Sequence, residues 1–115
     1  MIIELSYPRS ELMPNRKNGQ HWAKTVQIKN EVMLEAFTIA FTERVNGKFK
    51  PADTLPLKIT FMQSDKRKRD LDNLLSASKA AIDGIAKALN IDDKQFEPIT
   101  IMRGYGNEAK MIIEC

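Results

Sequence analysis

The stretch Lys66-Arg67-Lys68-Arg69-Asp70-Leu71-Asp72-Asn73-Leu74 organises this 115-residue chain. Four consecutive cations run into two carboxylates one residue apart, and an apolar-periodic segment begins at once. Just before it, PLKITFMQ at 56–63 alternates cleanly. Leu57, Ile59 and Phe61 fall on one face and Lys58, Thr60 and Met62 on the other, which predicts a half-buried strand. Just after it, Leu74, Leu75, Ala81, Ile82, Ile85 and Leu89 recur at helical spacing and predict one helix over 72–89. Ser78 lies inside that stripe, where its hydroxyl can bond the carbonyl one turn earlier. Gly84 is the candidate break or kink.

Outward from this junction, residues 2–7 alternate Ile3, Leu5 and Tyr7 with Ile2, Glu4 and Ser6. Because Ile2 is apolar as well, the reading is a central strand covered on both faces. Residues 8–20 (PRSELMPNRKNGQ) form a loop whose Arg9, Arg16 and Lys17 make a second basic feature. Residues 21–45 predict a long helix with Trp22, Val26, Met33, Phe37, Ala40 and Phe41 as its core stripe, stopped by Asn46-Gly47. After a short acidic turn at 90–94, strands over 98–103 and 109–115 read as a hairpin about Gly104-Tyr105-Gly106-Asn107. The order β-α-β-α-β-β predicts one α+β domain over 1–115, two layers deep, with two helices on a mixed four-stranded sheet.

Composition narrows the function classes. A hydrophobic content of 43% with 29% charged residues describes an ordinary globular chain, and the net charge of +3 matters less than the clustering of the cations. The single cysteine, Cys115, excludes a disulfide framework within the chain, and the single histidine, His21, excludes a multi-histidine metal site. No apolar run approaches the ~18 residues that span a bilayer. Residues 1–4 lack a signal-peptide pattern, so the expectation is a cytoplasmic protein with no membrane partner.

Geometry decides how Asp70 and Asp72 can cooperate. On a continuous helix, residues two apart diverge by about 200°, whereas on an extended segment they share one side. The workable arrangement keeps Asp70 extended and sets Asp72 at or just before the first helical turn, where it would also cap the helix. A cap accounts for one acid and leaves Asp70 unexplained. Carboxylates suit a hard divalent cation and the basic run suits a polyanion, a pairing that points to metal-assisted phosphodiester chemistry. Further along, Asp72, Ser76, Lys79, Asp83 and Lys87 line one polar face of the expected helix. A local Lys79–Asp83 surface pair is the plainer reading of that face. Asp92-Asp93 then follows the helix C-terminus, where the backbone dipole disfavours acids.

Taken together, Arg69-Asp70-Leu71-Asp72-Asn73-Leu74, the helix Lys79-Ala80-Ala81-Ile82-Asp83-Gly84-Ile85 and Asp92-Asp93 resemble the RusA-type Holliday junction resolvases. The resemblance implies a magnesium-dependent endonuclease, with manganese as a substitute, that acts as a homodimer. Its partner would be a four-way DNA junction, resolved by paired symmetric nicks. It also implies that Asp70, Asp72 and Asp93 are the metal-binding catalytic acids. Some members carry a lysine four residues after the second aspartate. Here that position is Ser76, and Lys79 is the nearest cation on the same face to take its place. Phosphate contacts are expected from Arg16, Lys17, Lys66, Arg67, Lys68 and Arg69.

Two other classes compete. A non-catalytic junction-binding or nucleic-acid-binding protein would use the same cations without cutting. A phosphatase or nucleotide-sugar transferase would use the Asp-Leu-Asp pair, but such pairs usually end a strand in a larger α/β domain.

Overall fold

In a computed structural model, residues 1–14 and 22–115 are described. Arg16, Lys17 and His21, singled out above, lie outside the described residues. The elements run β1 (Ile2–Ser6), α1 (Trp22–Val45), β2 (Leu55–Gln63), α2 (Leu71–Ala77), α3 (Lys79–Leu89), β3 (Phe96–Tyr105) and β4 (Lys110–Glu114), with 3-10 turns at Ser10–Leu12 and Asp93–Gln95.

The alternation at β2 organises the sheet. Leu57, Ile59 and Phe61 are buried, as are Ile3 and Leu5 of β1 and Met111 and Ile113 of β4, so one face of the sheet is continuous core. Each such side chain contributes roughly 1.5–3 kcal/mol when fully buried. Ala36 and Ala40 of α1 and Ala81, Ile82, Ile85 and Leu89 of α3 belong to the same core. The opposite sheet face carries charge paired within the chain, Lys58 to Glu114 at 3.6 Å and Lys110 to Glu4 at 2.8 Å. The fold is therefore the expected α+β arrangement of helices on a mixed four-stranded sheet.

Four expectations need correction. The sheet order is β1-β4-β2-β3, which puts β1 at an edge, paired among the described residues only with β4 and with Ile2 64% exposed. The last two strands are not a hairpin. β2 lies between them, parallel to β3 and antiparallel to β4, and the Gly106 amide donates to the Gln63 carbonyl as the chain crosses the end of β2. Turn-forming residues at 104–107 are compatible with either path, and the non-local pairing decides.

The helix expected over 72–89 is two helices broken at Ser78, so the described residues form three α-helices rather than two. Ser78 is buried, and its hydroxyl donates to the Leu74 carbonyl at 2.7 Å, the expected back-bond. Gly84, by contrast, sits inside α3. A Cβ there would stand 2.5 Å from the Met33 carbonyl oxygen, so this glycine marks the close approach of α3 to α1. Finally, only part of the expected α1 stripe faces the core: Ala40 is buried and Phe37 packs against the core, whereas Trp22, Val26 and Phe41 are exposed and Ile28 and Ala36 are buried in their place.

Candidate functional site

Residues 64–70 carry the chain from β2 to α2. Asp70 has φ −66° and ψ 123°, extended backbone, and Asp72 falls in the first turn of α2. That is the arrangement the spacing of the two acids requires. The capping position belongs to Asp70 rather than Asp72, yet the Asp70 side chain makes no capping hydrogen bond. Its nearest polar partner is Asn73 Nδ2 at 3.5 Å, and among the described residues it forms no ion pair with any neighbouring cation. Both carboxylates are exposed.

The four cations divide. Lys66, Arg67 and Lys68 are exposed, with no side-chain ion pair among the described residues. Arg69 turns inward. Its Nη1 and Nη2 donate to the two Asp65 oxygens at 2.9 and 3.1 Å, and its guanidinium carbon lies 5.9 Å from the centre of the Tyr7 ring. The Arg69 guanidinium holds the Asp65 carboxyl below the usual carboxylate range, while burial chiefly pushes the Tyr7 hydroxyl up. Beside this loop opens a cleft of about 350 Å³, lined by Arg67, Lys68, Arg69, Asp70 and Asn73 together with Ser10 and Met13.

Asp93 lies elsewhere. It follows α3, whose C-terminus is closed by Asn90 in the left-handed conformation, φ 57°. Asp92 is the structural member of the acidic pair. It caps the 3-10 turn, accepting from the Lys94 amide at 2.9 Å, while the Asp92 amide donates to Gln95 Oε1. The Asp93 carboxyl is pushed up, first by its bond with Asp92, with Asp83 adding to the effect. Asp93, Asp83 and Lys79 line one groove of about 300 Å³ with Leu75, Ile82 and Ile99. The break at Ser78 divides the polar face expected to run from Asp72 to Lys87, so Lys79 lines the groove of Asp93 and not the cleft of Asp70.

Carboxylates are the right donors for magnesium, but one chain does not gather them. Among the described residues no three His, Cys, Asp or Glu side chains are grouped to hold a metal ion. The two acidic sites fall toward opposite ends of β3. Arg103 Nε donates to the Arg69 carbonyl at 2.9 Å, next to Asp70, whereas Asp93 stands just ahead of Phe96. Phe96 and Arg103 lie opposite Leu55 and Phe61 of β2, six residues apart, so at ~3.3 Å per residue they are about 20 Å apart.

Sequence reasoning missed Tyr7, Gln63, Asp65 and Arg103 around the loop. Only Asp65 left a signal, an acid four residues before Arg69.

No protein-family model matches the chain. An uncharacterized protein of Xylella fastidiosa (strain Temecula1) is 32% identical over 95 residues, covering 82% of this chain and 61% of that protein. The chain thus spans less than two thirds of the relative it matches. No helix among the described residues is long and apolar enough to cross a membrane.

Proposed function

We propose that the chain is a metal-dependent, structure-selective DNA endonuclease of the RusA resolvase type, acting as a homodimer on four-way junctions. The observation that carries this reading is the exposed Asp70 carboxylate, which shares a cleft with Arg67, Lys68 and Arg69 yet makes no ion pair with them. An acid with no ion pair to the described cations around it suits a ligand that needs both, a phosphate with its counter-cation. The exposed Lys66, Arg67 and Lys68 side chains would hold flanking phosphates, a contact that positions DNA without reading its sequence. Magnesium, or manganese in its place, would be held by Asp70 and Asp72 with Asp93.

The separation of those acids within one chain favours, at first sight, a protein that binds junctions without cutting. A dimer removes the difficulty. Among the described residues β3 is an edge strand paired on one side by β2, with Ile99, Met102 and Tyr105 exposed, and such an edge is a template for another strand. Antiparallel pairing of two β3 edges would set the partner's Asp93 beside Asp70 and Asp72. A twofold arrangement of this kind also matches a substrate with two symmetry-related strands to cut.

The test is cleavage of a synthetic four-way junction with magnesium or manganese. Asp70→Asn should abolish cutting and leave junction binding equal or tighter, because it removes a negative charge beside DNA. Wild-type protein that binds the junction and never cuts it would establish the binding-only reading. Action on small phosphomonoesters alone would establish the phosphatase reading.

A further inference from the structure

The four cations at 66–69 look equivalent in the sequence, but one of them is built into the protein. Arg69 is gripped at both ends of its residue. Its guanidinium meets Asp65 through two hydrogen bonds, and its carbonyl accepts from Arg103 Nε at 2.9 Å. Asp65 Oδ1 also accepts from the Arg67 amide at 3.2 Å, so one carboxylate folds the loop and holds the arginine. From beneath, Gln63 Nε2 donates to the Arg67 carbonyl at 2.6 Å, and Gln63 is only 1% exposed. Three side chains from two strands and the loop therefore fix the backbone immediately before Asp70.

Successive side chains of an extended segment point to opposite sides. Asp70 is extended, and Arg69 is held inward against Tyr7. We propose that Asp65 and Arg103 are positioning residues: with Gln63 they lock Arg69 inward, and that lock turns the Asp70 carboxylate outward into the cleft. Arg69 then belongs to the support of the site and not to its phosphate wall, which is left to Lys66, Arg67 and Lys68. A lysine cannot reproduce the two-point contact of a guanidinium with a carboxylate, although it keeps the charge.

The catalytic consequence rests on the nuclease reading above, so the experiment has one arm that needs no turnover. In metal-free protein, Asp65→Ala should raise hydrogen exchange about tenfold at the Arg67 and Leu74 amides. The first is bonded to Asp65 itself, and the second to the Asp70 carbonyl that opens α2. Junction affinity and its salt dependence should stay at the wild-type level in Arg69→Gln, which removes the charge. In the magnesium-loaded enzyme, Arg69→Lys and Asp65→Ala should each lower kcat, by about 100-fold, as a misplacement near 1 Å can do. KM should hold, Asp65→Glu should recover part of the loss, and the double variant should be no worse than either single one.

Unchanged exchange at both amides in Asp65→Ala would overturn the lock. So would Arg69→Lys with wild-type kcat, or a loss of junction affinity and salt slope in Arg69→Gln, which would return Arg69 to the phosphate wall. If wild-type protein cuts no junction, the nuclease reading fails alone, and the exchange and binding arms still decide whether the lock exists.

Discussion

Gly84 shows how much one hydrogen atom in place of a methyl group decides. In an exposed helix interior, alanine is better than glycine by about 1 kcal/mol. Here the added Cβ would press on the Met33 carbonyl oxygen at 2.5 Å and on the Ala36 Cβ at 3.2 Å, both on the facing helix. Backbone cannot swing aside as a flexible side chain does, so α1 and α3 would have to separate, and overpacking of this kind costs ~1–3 kcal/mol. Gly84→Ala should therefore lower the urea midpoint rather than raise it, and a midpoint above that of wild type would contradict the packing described. The same scale separates two neighbours that the sequence leaves equivalent. Asp92 accepts the Lys94 amide and caps the turn, while the Asp93 carboxyl bonds Asp92 and lines the groove that also holds Asp83. Their difference depends on where the 3-10 turn begins, which residue types alone do not reveal.

At the scale of elements, legibility followed the locality of the forces. β2 was readable because one buried face imposes a period of two, and its burial alternates as its sequence does. The extended Asp70 and helical Asp72 were readable because only that geometry lets acids two apart cooperate. α1 was readable as a helix but only in part as a face: Phe37 and Ala40 of the stripe meet the core, but apolar residues surround the helix and Ala36 and Ile28 are buried where Trp22, Val26 and Phe41 were expected. The break at Ser78 and the strand inserted between β3 and β4 depend on contacts distant in sequence, including the Ser78 hydroxyl against Met111 Sδ at 3.4 Å. The basic loop divides in the same way: its composition is what the proposed polyanion contact rests on, but only the fold separates Arg69 from the rest. Reversing Lys66, Arg67 and Lys68 together to glutamate should weaken DNA binding across sequences and flatten its dependence on salt. Each lost phosphate contact should reduce the slope by about 0.9. A titration of duplex and junction at several salt concentrations checks this, and an unchanged slope would remove these residues from the interface.

At the scale of the whole molecule, the question is how acids at the two ends of a ten-residue strand can serve one reaction. Asp70 and Asp72 stand beside the end of β3 that Arg103 ties to the loop, and Asp93 stands before its start. In the proposed dimer, a second copy paired antiparallel along this edge would exchange the ends, and each cleft would then receive the acid its own chain lacks. Mixed dimers test that exchange directly. One subunit carries Asp70→Asn and the other Asp93→Asn, co-expressed with different tags and purified through both. Each variant alone should be inactive on a four-way junction with magnesium. The mixed dimer should regain cutting at one of its two sites, because one cleft holds both substitutions and the other holds neither. A mixed dimer as inactive as its parents, beside wild-type protein that cuts, would contradict the shared site.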